Sequence, residues 1–311
     1  MKKILLFLII ACTCTSIQSS ACPICGCGVG GFYIGLLPTY KSQFIGVRYQ
    51  YSHYETRLTD EPDQFSNDHY HEAELYGGVT LGKHWQLLGF VPYHFNHQIT
   101  DDGIIDKNGL GDISVLANYK LWESSKLTKN NTSFNQEFWL GAGLKLPTGK
   151  YGVNFGDSVH EELADLLGDV NSQMGTGSTD FLFNAMYNIH LNKVGINTTA
   201  NYKVNTINNS NFKYGDRFSI NSFAYYEAKA GRKIYMAPNI GVLYEHAASN
   251  FFTKNKVEET GGYAVFASAG IDVNLSKITV GTNVQLPVAQ NYAHGQTEAK
   301  LRGLVHVTYT F

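Results

Sequence analysis

The stretch Phe138-Trp139-Leu140-Gly141-Ala142-Gly143-Leu144-Lys145-Leu146-Pro147 alternates two kinds of residue without a break. Phe138, Leu140, Ala142, Leu144 and Leu146 are apolar, and between them stand Trp139, Gly141, Gly143, Lys145 and Pro147. A strand turns successive side chains to opposite faces, so this segment sets an apolar row against a greasy phase and a mixed row, with one cation, against a wet one. The end of the chain repeats the arrangement. Leu301, Val305, Val307, Tyr309 and Phe311 take one parity, and Lys300, Arg302, His306, Thr308 and Thr310 take the other. Lysine and arginine are costly against hydrocarbon, which points the charged parity inward.

Working outward from these two segments, the same period of two predicts strands near 42–54, 70–81, 85–98, 111–122, 136–148, 179–190, 194–205, 214–227, 234–247, 262–275, 278–288 and 299–311. The connections then sort by length. Gly82-Lys83-His84, Leu191-Asn192-Lys193, Ala228 to Lys233 and Ser276-Lys277 are short, whereas 55–69, 99–110, 149–178, 206–213, 248–261 and 289–298 are long. Only 123–135 breaks the alternation. The expectation is an all-β transmembrane antiparallel β-barrel of about 12 strands in the bacterial outer membrane, with short periplasmic turns and long external loops. A soluble β-sandwich also has short alternating strands, but it seldom sorts its connections so regularly or ends on Val-Thr-Tyr-Thr-Phe.

Composition agrees. Of 311 residues 43% are hydrophobic, yet mean hydropathy is -0.18 and only 16% are charged, a balance that suits neither a helical membrane protein nor a disordered chain. Tyrosine (20), phenylalanine (18) and glycine (31) are the residues that lipid-facing strands and interfacial girdles use. After Ala21 no apolar run reaches the length of a membrane helix, so any spanning structure must be a closed barrel. Lys2 and Lys3, the apolar run Ile4 to Ala11, and Ser19-Ser20-Ala21 together read as a cleaved signal peptide over 1–21. Lipoprotein processing at Cys12 or Cys22 is the alternative, although neither has leucine three residues before it. A Cys/Gly-rich periplasmic segment then covers 22–41 and the barrel 42–311. The net charge of -2 and pI near 6.6 supply no basic field, which excludes nucleic acid as a partner. The expected partners are outer-membrane lipid, a small-molecule solute, and the barrel-assembly machinery that a terminal aromatic such as Phe311 addresses.

Three segments carry a resemblance. Gly109-Leu110-Gly111-Asp112-Ile113 leads into Asn118-Tyr119-Lys120-Leu121; Gly143-Leu144-Lys145-Leu146-Pro147-Thr148-Gly149-Lys150 follows; and Gly175-Thr176-Gly177-Ser178-Thr179-Asp180-Phe181 completes the set. In order and spacing they resemble the outer-membrane proteins of the MetA-pathway of phenol degradation family, most strongly over 109–190. What the resemblance implies is a barrel with an uptake role for small compounds, aromatic ones among the candidates. Each motif also has a reading that needs no solute: glycine permits tight turns, Asp112 and Asp180 can satisfy backbone donors at loop corners, and Pro147 ends a strand at the rim.

Several groups could carry chemistry. Cys22, Cys25 and Cys27 lie within six residues, a spacing that suits thiolate ligation of Cu(I) or Zn(II) as well as a Cys22–Cys25 disulfide in the oxidising periplasm. His69 and His71 project to one face of a strand and could share a metal with a ligand from another loop. The expected lumen-lining set is Arg48, Glu72, Glu74, Lys145, Arg217, Glu245 and Arg302, accompanied by Lys120, Lys203, Lys300, Asp112, Glu137, Asp180, Glu227 and Asp272. Mixed signs predict a wet or salt-bridged interior, not an ion filter of one sign. In the loop 149–178, Val159, Leu163, Leu166, Leu167 and Val170 recur at helical spacing among acidic residues, so a short amphipathic helix would either narrow the mouth through Leu163, Leu166 and Leu167 or cap its own loop.

An enzyme is not expected. Ser222 and His246 share the lipid-facing parity, but a turn centred near Gly231 sets Ser222 opposite Asn239, leaving His246 about 23 Å away. A nucleophile and its base need about 3 Å. The leading expectation is a channel or uptake barrel for small solutes. The alternative is a non-conducting structural or metal-handling barrel that anchors the periplasmic Cys cluster.

Overall fold

The computed structural model describes residues 43–59, 63–101, 103–127, 133–152, 170–231 and 234–311. The strands are β1 (Phe44–Arg57), β2 (Phe65–Leu81), β3 (Trp85–Thr100), β4 (Gly103–Leu110), β5 (Ser114–Leu127), β6 (Ser133–Lys145), β7 (Asp180–Leu191), β8 (Val194–Val204), β9 (Phe212–Lys213), β10 (Arg217–Tyr226), β11 (Ala228–Lys229), β12 (Ile234–Ala247), β13 (Phe251–Phe252), β14 (Asn255–Lys256), β15 (Gly262–Leu275), β16 (Ile278–Tyr292) and β17 (Thr297–Thr310). Fourteen of them form one antiparallel sheet without a free edge, since β10 pairs with β12 and the first strand, β1, pairs with the last, β17. In it β4 and β5 are the outer and inner parts of one interrupted wall strand, and β11 is a two-residue extension, so the barrel has twelve walls. Among the described residues no helix is long and apolar enough to cross a membrane.

Tilt follows from the register. A row of paired residues starts at Phe44 on the periplasmic end of β1 and runs through Gly78, Leu88, Leu116, Gly143, Leu182 and Lys203 to Arg217, the external end of β10. It continues through Ala247, Gly262, Tyr292 and Thr297 and returns to β1 at Thr56, a climb of 12 residues (56 minus 44). With strands about 4.8 Å apart and about 3.3 Å per residue, that climb sets a tilt of roughly 35° and a backbone diameter of about 22 Å. What fills so wide a lumen is therefore decided by side chains and loops.

Parity sorts the two faces as alternation requires. In β6 Trp139 and Lys145 are buried inside, while Leu140 and Leu144 are exposed outside. In β17 Arg302, Leu304, His306 and Thr308 point inward, and Leu301, Val305, Val307 and Tyr309 outward. Rings such as Trp85 packed edge-on to Tyr119 on the periplasmic side, and Tyr244 stacked near Tyr263 on the external side, flank the apolar band as interfacial girdles. The chain folds as an outer-membrane β-barrel.

Strand ends depart from the sequence expectation in three ways. Ladders run farther outward, so much of 55–69, 99–110 and 289–298 is strand; cross-strand pairs continue to Arg57↔Phe65 and Thr100↔Gly103. On the periplasmic side β5 extends to Leu127 and β6 begins at Ser133, which removes the one long connection, 123–135. Lys300 does not enter the lumen. A bulge between Ser52 and Tyr54 puts an extra residue on β17, Ala299 turns inward, and Lys300 sits half-exposed on the rim between Glu55 (3.0 Å) and Glu298 (2.7 Å).

Candidate functional site

The interior is stratified. Phe44, Tyr76, Leu88, Phe90, Leu116 and Leu182 meet in one buried cluster on the β1 to β7 side of the lumen, an apolar layer where a plain water channel would have polar residues. Above it the walls carry paired charges. Arg48 is ion-paired to Glu74 and lies over the Tyr76 ring at 5.6 Å. His306 Nε2 is 2.7 Å from Asp272 Oδ1, and they meet across β16 because Gly281 lies between: a Cβ there would be 1.9 Å from the imidazole nitrogen. Arg302 donates to both oxygens of Glu245 (2.8 and 2.7 Å), packs 4.1 Å from the Phe266 ring centre and donates to the Tyr54 hydroxyl, while the Tyr292 hydroxyl donates to Glu245. Buried carboxylate and guanidinium thus have most of their hydrogen-bonding capacity filled.

A second hub ties down the long loop. Lys145 Nζ reaches Asp112 Oδ2 at 2.5 Å, Asp180 Oδ2 at 2.9 Å and the Ser178 carbonyl at 3.2 Å, and also donates to Thr176 Oγ1. Asp112 accepts from the backbone N–H of Gly149 (2.9 Å) and Thr176 (2.8 Å); Asp180 accepts from Ser178 Oγ (2.8 Å) and the N–H of Thr206 (3.0 Å). Thr148 closes the set, taking the N–H of Ile113 and donating to the Gly111 carbonyl. All three resemblance motifs therefore converge on one knot. Two glycines make room for it, since a Cβ on Gly175 would stand 2.5 Å from Asp112 Oδ1 and one on Gly149 2.9 Å from Gly175 Cα.

From that knot residues 170–176 run into the barrel mouth as a buried strap. The Val170 carbonyl accepts from Tyr214 Oη (3.1 Å), the Ser172 carbonyl from Asn96 Nδ2 (3.3 Å), and the Thr176 carbonyl from Asn208 Nδ2 (2.9 Å). Between the strap and the apolar layer lies a cavity of about 130 Å³, of the size that takes one benzene-sized molecule. Its wall includes Phe90, Pro92, Met174, Leu182 and Leu243 together with Arg48, Glu72, Glu74, Asp112, Lys145, Lys203, Arg217 and Glu245, four acidic and four basic groups.

Six of the seven expected lumen residues, Arg48, Glu72, Glu74, Lys145, Arg217 and Glu245, line this cavity, and Arg302 lies buried behind Glu245. Sequence reading missed the apolar layer. Its one local signal is Leu87-Leu88, where two leucines in succession give each face one. His69 and His71 are on the outer face of β2, hydrogen-bonded to Tyr51 Oη (2.8 Å) and Tyr49 Oη (2.6 Å). Cys22, Cys25, Cys27, Leu163, Leu166 and Leu167 lie outside the described residues. Ser222 does face lipid, but it pairs with Val242, not Asn239, and its hydroxyl meets Thr198 Oγ1 at 2.9 Å. His246 pairs with Phe218, four positions from Ser222 and so about 13 Å along the strand, still too far for a dyad.

No protein-family model matches the chain, and no curated protein is similar to it. Among solved structures it is similar to an outer membrane channel from Pseudomonas putida F1, with TM-score 0.61 and 15% identity over 91% of this chain and 99% of that one. The transport unit of the autotransporter AIDA-I from Escherichia coli gives TM-score 0.48 at 13% identity, over 90% of this chain and 94% of that one. At such identities the first likeness speaks to the fold, and the second is too loose to argue from.

Proposed function

We propose that the barrel is a gated channel for small solutes that carry both an apolar face and a polar group, aromatic compounds among them. The observation that carries this reading is the cavity on the lumen axis, where rings and aliphatic side chains face balanced charges. A solute of that kind would bury its ring against Phe90, Pro92 and Leu182 and keep its polar group among the ion pairs, so that neither is left unsatisfied. The resemblance to the MetA-pathway of phenol degradation family and the likeness to an outer membrane channel support the same reading. The strap is the proposed outer gate and the apolar layer the inner one. We extend the gate to Leu163, Leu166 and Leu167, whose apolar stripe would hold the rest of the loop over the mouth.

Conductance of the chain starting at Cys22, reconstituted in planar bilayers, tests it. Leu88→Ala with Leu116→Ala removes two side chains from the inner layer and is expected to raise single-channel conductance several-fold, with benzoate or phenol producing resolvable blocks. Each truncation costs about 2–5 kcal/mol, so heat-modifiability on gels must first show the variant folded. Folded variant and parent both failing to conduct would favour the anchoring barrel instead.

A further inference from the structure

We propose that His69 and His97 form a divalent transition-metal site on the outer wall of the barrel, just outside its external aromatic girdle. His53, His69, His97 and Asp106 stand in direct register on β1, β2, β3 and β4, one cross-strand row with all four side chains outward. Tyr51, His71 and Phe95 form the row beneath, and Tyr49, Ala73 and Tyr93 the row beneath that, so the imidazoles sit one step beyond the girdle, where water reaches them.

The geometry of the second nitrogens makes this more than a cluster of rings. Asp106 Oδ1 is 2.6 Å from His97 Nδ1, and a carboxylate can only accept, so Nδ1 carries the proton and Nε2 holds the lone pair. His69 Nδ1 lies 2.8 Å from Tyr51 Oη, a hydroxyl that can turn to accept its proton, and in that arrangement Nε2 is left for a ligand. Outer-shell partners of this kind fix the tautomer and aim of metal-binding histidines. Opposed residues on neighbouring strands have Cβ atoms about 5 Å apart, within reach of one ion, and the His69 and His97 ring centres are 6.1 Å apart. Among the described residues no three His, Cys, Asp or Glu side chains converge as they stand. The site is accordingly two imidazoles with water completing the shell. His53, stacked on His69 at 4.5 Å with its Nε2 near Asn67 Oδ1 (2.8 Å), joins only by turning its ring. His71 is not a member: it is two residues along the same strand and opposite Phe95. Imidazole donors with a nearby carboxylate suit Cu(II), Ni(II) or Zn(II).

Calorimetric titration of CuCl2, and separately ZnCl2, into the detergent-folded chain with Cys22, Cys25 and Cys27 changed to Ser reads the imidazoles alone. One ion per chain is expected, with nitrogen couplings in the Cu(II) EPR spectrum. His69→Ala or His97→Ala should weaken binding at least tenfold. Asp106→Ala should weaken it 10–100-fold, as loss of an outer-shell partner does, with Asp106→Asn recovering most of it because the amide oxygen still accepts. His71→Ala and the lumenal His94→Ala should change nothing. Binding that survives the folded His69→Ala/His97→Ala variant, or that is lost with His71 alone, overturns the assignment.

Discussion

Lys145→Met is expected to lower the unfolding free energy of the barrel by about 3–5 kcal/mol, the usual cost of leaving buried charge without its partner, and to increase conductance. Among the described residues this lysine alone is ion-paired with both Asp112 and Asp180, each nearly inaccessible to solvent. Without it two carboxylates face each other, and the Thr176 and Gly149 amides that Asp112 anchors lose a fixed acceptor. The strap is then tethered mainly by Tyr214, Asn96 and Asn208. Urea unfolding followed by tryptophan fluorescence measures the first effect and bilayer recording the second. Lys145→Met combined with Asp112→Asn and Asp180→Asn removes the charges together and should regain most of the stability. Equal stability of the single variant and the parent would show that the knot is not what secures the mouth.

The second large effect is expected at Arg302. Arg302→Met strips Glu245 of both guanidinium bonds and leaves the Tyr54 hydroxyl without its donor, all within an interior lined by Phe266, Ala264 and Tyr292. The expected loss is again about 3–5 kcal/mol. Arg302→Met with Glu245→Leu replaces the pair by side chains of similar volume, and such exchanges are often neutral or stabilising. A double-mutant cycle on urea midpoints therefore should give a coupling of several kcal/mol; a cycle that closes near zero would show that water, not Arg302, satisfies Glu245.

Parity made the barrel legible. Wherever Leu, Val or Tyr alternate with Lys, Arg or Glu, as in β6 and β17, the sequence states which face is wet, and the strand count follows from repetition. Strand ends were less readable because ladders project beyond the membrane on residues such as Glu55 and Asp106 that look like loop. The bulge that turns Lys300 outward leaves no signal in a strict alternation. Within the lumen, the charged residues could be named but not paired: Arg302 reaches Glu245 past two intervening strands, a partnership that depends on barrel curvature. Asp112 and Asp180 read as turn residues, and each does cap backbone amides; that one lysine bridges them was invisible until β5, β6 and β7 were side by side.

That adjacency has a consequence for assembly. The knot joins consecutive strands, with Lys145 only 33 residues from Asp112 and Thr176 64 from it, whereas the seam that closes the barrel brings Thr56 to Thr297 across 241 positions. Ordering a short span of chain sacrifices less freedom than ordering a long one, so local pairings come first. A nascent sheet of β5 to β7 can hold its strap before it is a cylinder. On that order the strap is held before the cylinder closes, and cysteine pairs placed at 144/181 and at 56/297 should cross-link in that order during refolding into detergent.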